Sequence, residues 1–200
     1  MSCTIGIIDY GIAGNIYNIK KAIEKAGGQT LIIQNESELK KVDKIVIPGV
    51  GSFKDAMSEL NSKSLVNPLI EFINKKPTLG ICLGMQILST IGFECEKTNG
   101  LNIINAEVKP IISTGVIPHM GFNNIDIIKS NKLLKGLEDE EFYFMHSFEM
   151  VNFHDVTSTT TYEQHQFVSS IQKNHIYGVQ FHPEKSRDAG IKLFKNFINL

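Results

Sequence analysis

A chain of 200 residues is long enough to bury a substantial core as one domain without disulfides or metals. A formal net charge of −1, with 42% hydrophobic and 20% charged residues, gives no electrostatic reason to expect nucleic acid or an anionic membrane as partner. No apolar run approaches the ~20 residues of a membrane helix; Cys3, Cys82 and Cys95, odd in number and widely spaced, suit a reducing compartment, and with no signal-type segment before the first strand the expected location is cytoplasmic.

The first predicted strand is the apolar run at 4–9. A helix follows over 15–27, with Ile16, Ile19, Ala22, Ile23 and Ala26 at helical spacing and Gly27-Gly28 as its stop. Residues 30–33 and 44–47 read as strands, the second ending at Pro48-Gly49. Helical patterns cover 53–60 and 66–74. A strand at 78–81 then runs into a turn at Cys82 and a helix continuing through Met85, Ile87 and Leu88. Short strands alternating with helices imply βαβ units. Beyond Glu96 the texture changes to short alternating segments at 124–128, 142–145 and 167–172, while the polar, β-prone stretch 157–161 suggests a hairpin. A strand at 176–181 and a helix over 187–198, N-capped by Ser186, close the chain. The expected fold is α/β over residues 1–200: an open, mainly parallel sheet flanked by helices, with a short antiparallel extension.

Two segments carry chemistry together. Gly80-Ile81-Cys82-Leu83-Gly84 is G-x-C-x-G, the thiol form of a nucleophile elbow. At such a corner the side chain points into solvent, and Cβ atoms at Gly80 and Gly84 would strike neighbouring backbone. A helix N-terminus at Cys82 would favour thiolate over thiol. Far downstream, His182-Pro183-Glu184 follows an apolar strand. Proline enforces extended geometry on the residue before it, so His182 and Glu184 would project to one side, the carboxylate orienting the imidazole. Alone, each has a plainer explanation, a buried structural cysteine and a satisfied surface histidine; paired, they are a thiol and its base.

Pro48-Gly49-Val50-Gly51 closes another strand. Its glycines free peptide planes to turn the Val50 N–H toward a ligand, forming an oxyanion hole with the N–H of Leu83; the plainer reading is a β-to-α turn. It lacks the G-K-[ST] ending of a phosphate loop, and the stretch 9–15 does not fit G-x-G-x-x-G. His119, His146, His154, His165 and His175 show no zinc-ligand spacing, so neither metal nor cofactor is expected.

Taken together, G-I-C-L-G-M-Q, P-G-V-G-S-F and V-Q-F-H-P-E-K-S resemble the class I (triad) glutamine amidotransferases, whose core is flavodoxin-like, over almost the whole chain. Within that family, the segments from Asp9 to Asn15, His119 to Asn123 and Tyr143 to Phe148, with Met85, Lys185 and Ser186, are similar to the branch serving imidazole glycerol phosphate synthesis in histidine biosynthesis. The resemblance implies Cys82, His182 and Glu184 as catalytic triad and Val50 and Leu83 as oxyanion hole. It implies L-glutamine binding by Gly49, Gly51, Gln86, His146, Ser147 and Phe148. Asn15, Phe122 and Lys185 would face a separate (β/α)8-barrel synthase/cyclase subunit that receives ammonia and forms imidazole glycerol phosphate and AICAR, and until that partner's ligand binds the Val50 peptide would be misoriented and the chain a weak glutaminase.

Departures are one extra residue at Ile12-Ala13, Phe122 in place of Trp and Phe148 in place of Tyr. They leave open a second acceptor, a sugar amidotransferase of surface polysaccharide synthesis. A cysteine peptidase and a non-catalytic scaffold subunit are the competing classes; Gln86 with P-G-V-G-S-F opposes the first, and the intact Cys82, His182 and Glu184 oppose the second.

Overall fold

The computed structural model of the chain describes residues 3–11 and 15–200; the extra Ile12-Ala13 lies outside them. The main sheet has eight strands in the spatial order Gln29–Ile33, Thr4–Ile8, Lys44–Ile47, Thr78–Ile81, Ile176–Val179, His165–Lys173, Val156–Tyr162 and Asp126–Ile127. The first five are parallel and the last three antiparallel. Every residue of Lys44–Ile47, Thr78–Ile81 and Ile176–Val179 is buried, as expected of parallel strands covered on both faces. Even Lys44 is inside: its Nζ donates to the carbonyls of Phe197 and Ile198, which end the last helix.

The predicted βαβ half is present, with helices Ile16–Lys25, Phe53–Ser62, Val66–Ile73 and Arg187–Ile198. Ser52 caps the second of these by accepting from Asp55 N at 3.1 Å, a contact worth about 1 kcal/mol. The 157–161 patch does form a hairpin, Val156–Tyr162 against His165–Lys173. Among the described residues no helix is long and apolar enough to cross a membrane.

Three expectations change. The extension is larger than predicted and not wholly antiparallel. It adds a four-stranded sheet of Phe148–Val151, Ile104–Pro110, Ser89–Gly92 and Thr98–Asn99, whose middle pair is parallel, and a pair of Glu141–His146 with His119–Asn124. The elbow helix is one turn, Leu83–Gln86. It stops because the carbonyls of Ile87 and Leu88 are taken by the N–H groups of Leu101, Ile103 and Ile104, starting the second sheet. Ser186 sits before the last helix but caps nothing with its side chain. Its hydroxyl donates to the His182 carbonyl at 2.7 Å and accepts from Tyr143 N at 3.0 Å, fastening two strand ends together.

Candidate active site

Three parallel strands end side by side, at Ile47, Ile81 and Val179; the segments leaving the first two help line one cleft, and the segment leaving the third carries His182. Open α/β sheets place ligands at this edge. Cys82 follows Ile81 directly and is held to the neighbouring strand by its N–H, which donates to Val179 O at 2.7 Å. Its backbone is at φ 51°, ψ −111°, a conformation non-glycine residues avoid. The turn is as tight as G-x-C-x-G implies. A Cβ on Gly80 would lie 2.6 Å from the Gly84 carbonyl, and one on Gly84 would collide with the Ile47 carbonyl. The sulfur is more enclosed than an elbow facing solvent suggests, Cys82 being 6% exposed at the wall of a cleft of about 190 Å³.

His182 has the extended backbone predicted for a residue before proline, but Pro183–Lys185 is a 3-10 turn opened by that proline. The turn, not continued extension, brings Glu184 back onto the ring: His182 Nδ1 lies 2.9 Å from Glu184 Oε1, both side chains fully buried. The carboxylate accepts, so Nδ1 carries the proton. Among the described residues, the other nitrogen, Nε2, has no hydrogen-bond partner within bonding geometry. Burial opposes charge on this imidazole, but its interactions with Cys82 and Glu184 outweigh it and raise His182 to about 10. Burial also pushes the Glu184 carboxyl upward. The hydrogen bonds from His182 and from Asn15 outweigh it and hold that carboxyl below its usual range. Sulfur, imidazole and carboxylate thus form one buried, charge-coupled row.

The rest of the cleft wall is Val50, Gly51, Leu83, Gln86, Glu94, Pro118, Met145, His146, Ser147 and Phe148. Leu83 opens its helix, so its N–H has no intrahelical acceptor; Gly51 has φ +111°, which a side chain would resist. Gly49 is not part of the wall and packs on the elbow, where a Cβ would lie 2.5 Å from Gly84 N. Tyr10, fully buried, donates its hydroxyl to Pro48 O at 2.6 Å and so anchors the start of the same segment.

His146 is buried and its Nδ1 lies 2.9 Å from Phe148 O, while its Nε2 lies 3.1 Å from His119 Nδ1. A carbonyl only accepts, so the protons are ordered: His146 donates from Nδ1, and His119 donates from Nδ1 to His146. Burial keeps both rings neutral, lowering His119 to about 4 and His146 to about 3.

Of the residues expected to face a partner, Phe122 and Lys185 lie together on the surface. Phe122 meets Tyr143 edge-on, the Arg187 guanidinium is 4.5 Å from the Phe122 ring, and Lys185 Nζ is 5.3 Å from the Tyr143 ring. Asn15 is elsewhere. It is 4% exposed, and its Nδ2 donates to Glu184 Oε1 at 2.9 Å.

Sequence reasoning missed Glu94, a carboxylate on the cleft wall, whose Oε2 accepts from Phe53 N at 2.7 Å. Its sequence neighbourhood, Phe93-Glu94-Cys95-Glu96, carries no motif. A second cleft, of about 320 Å³, lies between Glu36–Leu39 and Val66–Ile73. There Lys40 and Lys75 pair with Glu36 and Glu71, and no nucleophile lines it.

Residues 7–200 match the family described as glutamine amidotransferase class-I, and the chain belongs to that family. Its curated relatives include "Imidazole glycerol phosphate synthase subunit HisH 1" of Campylobacter jejuni (strain RM1221), 43% identical over 98% of this chain and 100% of that protein. A HisH subunit of Pelagibacter ubique is 39% identical over 98% of this chain and 99% of its own length. The fold recurs in a putative GMP synthase protein from Thermoplasma acidophilum, with TM-score 0.76 and 21% identity over 100% of this chain and 94% of that one. PurLQS of Thermotoga maritima gives TM-score 0.77 at 15% identity, over 100% and 99%.

Proposed function

We propose that this chain is the glutaminase subunit of a cytoplasmic imidazole glycerol phosphate synthase, releasing ammonia from L-glutamine for a (β/α)8-barrel synthase/cyclase subunit. The observation that carries the chemistry is the buried row in which Cys82 faces an imidazole already held by Glu184. In this reading the thiolate attacks the side-chain carbonyl carbon of glutamine, and the oxyanion is met by the N–H groups of Leu83 and Val50. Collapse breaks the C–N bond, with His182 giving its proton to the departing ammonia; His182 then activates water to hydrolyse the thioester, releasing glutamate. Gly51, Gln86, Ser147 and Phe148 shape the substrate pocket, His146 orients Phe148, and Gly49 sets the spacing between the segment carrying Val50 and the elbow. The Glu94 carboxylate offers a counter-charge for the substrate ammonium. The surface group of Phe122, Tyr143, Lys185 and Arg187 supplies the cation–aromatic contacts of a docking face.

Relatives at 38–43% identity named for imidazole glycerol phosphate synthase favour that acceptor over the sugar amidotransferase. The test is Cys82→Ala in the complex with a barrel subunit. Glutamine-dependent product should vanish while ammonia-dependent product persists; loss of both, or survival of both, overturns the reading.

A further inference from the structure

Gln180 lies between the strand Ile176–Val179 and the triad histidine, is fully buried, and has no part in the chemistry above. Its side chain is the last link of an ordered hydrogen-bond chain. Gln86 Nε2 donates to two acceptors, the Phe148 carbonyl at 3.0 Å and Gln180 Oε1 at 3.0 Å. Because a backbone carbonyl can only accept, Gln86 must present its NH2 group at that junction. Gln180 must answer with its oxygen, which turns its own NH2 the other way, onto Cys82 Sγ at 3.4 Å. The Phe148 carbonyl is itself fixed by His146, whose partner is His119. Proton order therefore runs from His119 to the sulfur without an ambiguous amide.

Two titratable groups are coupled to the sulfur, the His182 imidazole, whose charge favours thiolate, and the buried Tyr10 hydroxyl; one further neighbour opposes the charge. The Met145 carbonyl, 3.9 Å away, can only accept and so favours the thiol. The elbow helix is a single turn and supplies little of the dipole a longer helix would. We propose that the Gln180 side-chain amide is a second group, beside the His182 imidazolium, that favours thiolate over thiol at Cys82, and that it fixes the position of the sulfur by a directed hydrogen bond. This rests on Cys82 being the nucleophile. Gln180 is thus a positioning residue whose orientation is set remotely, by Phe148 through Gln86.

The test uses the full chain with Cys3 and Cys95 replaced by Ser, so that Cys82 is the only thiol, and follows iodoacetamide alkylation from pH 5 to pH 10 without glutamine. Gln180→Met keeps length and burial but loses the donor; Gln180→Glu keeps the shape and places oxygen lone pairs against the sulfur. In each variant that circular dichroism shows folded, the midpoint of the alkylation profile should rise by about one pH unit, about tenfold slower alkylation below it. Gln180→Glu should shift it further. The parent chain gives a check that needs no variant: the Gln180 side-chain NH2 resonances should titrate with the alkylation midpoint. An unmoved midpoint in a folded variant, or resonances that do not titrate, overturns the inference. Glutaminase activity that survives Cys82→Ala would instead remove the reading on which it rests.

Discussion

Asn15 and Glu184, 169 positions apart, meet at one oxygen: Asn15 Nδ2 donates at 2.9 Å to the same Glu184 Oε1 that accepts His182 Nδ1–H. The residue that precedes the first helix thereby reaches the carboxylate that holds His182. Hydrogen bonds to charged groups contribute ~1.5–3 kcal/mol. Asn15→Ala should therefore lower kcat for glutamine hydrolysis about tenfold, with KM changed less than about twofold, since Asn15 is not on the cleft wall. Asn15→Asp should cost more, because a second carboxylate would face Oε1. Steady-state kinetics of the complex check both; a loss confined to KM would place Asn15 at the substrate.

The raised pKa of His182 sets the alkaline behaviour. Its folded value, about 10, lies above the ordinary 6.5, so the ring keeps its proton through neutrality, as the proposed protonation of departing ammonia requires. Activity attributable to that proton should fall as pH rises through about 10. Glu184 is one of the groups raising His182, so Glu184→Gln should bring the alkaline limb of the pH–kcat/KM profile to lower pH. An unmoved limb would assign it to another group.

The parts of this site visible in the sequence are those that backbone geometry enforces. Gly80, Cys82 and Gly84 announce a turn whose close contacts only glycine tolerates, and the buried parallel strands announce themselves as apolar runs. What was illegible depends on pairing across distance. Nothing near Ile87 or Leu88 says that their carbonyls go to Leu101, Ile103 and Ile104, so a helix read as continuing is one turn. His182 and Glu184 are adjacent by a 3-10 turn that i, i+2 reasoning did not distinguish from a strand. Asn15 reads locally as a helix-start residue, yet its side chain is committed to Glu184. Glu94 reaches the cleft because its segment packs there, which its neighbours in sequence do not encode.

Gly84→Ala should be among the most damaging single substitutions in the chain. The added methyl would collide with the Ile47 carbonyl, and the other close atoms are the Ile47 carbonyl carbon at 2.7 Å and the Pro48 oxygen at 2.9 Å. All belong to backbone, so no side chain can swing away. A loss of about 3 kcal/mol or more in urea unfolding is expected, at the upper end of overpacking effects. Gly27→Ala makes the control: φ is positive there, but among the described residues nothing lies within 4 Å, so only the backbone cost of roughly 1 kcal/mol should appear. Equal losses at the two sites would refute the steric account.

The buried pair His119 and His146 should make the fold acid-sensitive in a definite window. Both rings are neutral in the folded chain, lowered by burial to about 4 and about 3, whereas in the unfolded chain each titrates near 6.5. Below that value the unfolded state binds more protons, so stability is fully present above pH 6.5 and is lost as pH falls toward 4. With two protons taken up on unfolding, the slope from this pair should reach about 2.7 kcal/mol per pH unit, twice the 1.36 of a single group. His182 acts oppositely: its raised folded pKa stabilises fully below 6.5, and that contribution fades as pH rises toward 10. The histidine contributions together should therefore place the stability maximum close to pH 6.5. Urea midpoints measured from pH 4 to pH 10 on the parent chain and on His119→Phe check this. Removing one ring of the pair should flatten the acid limb by about half while leaving the alkaline limb in place; an unaltered acid limb would show that other groups set it.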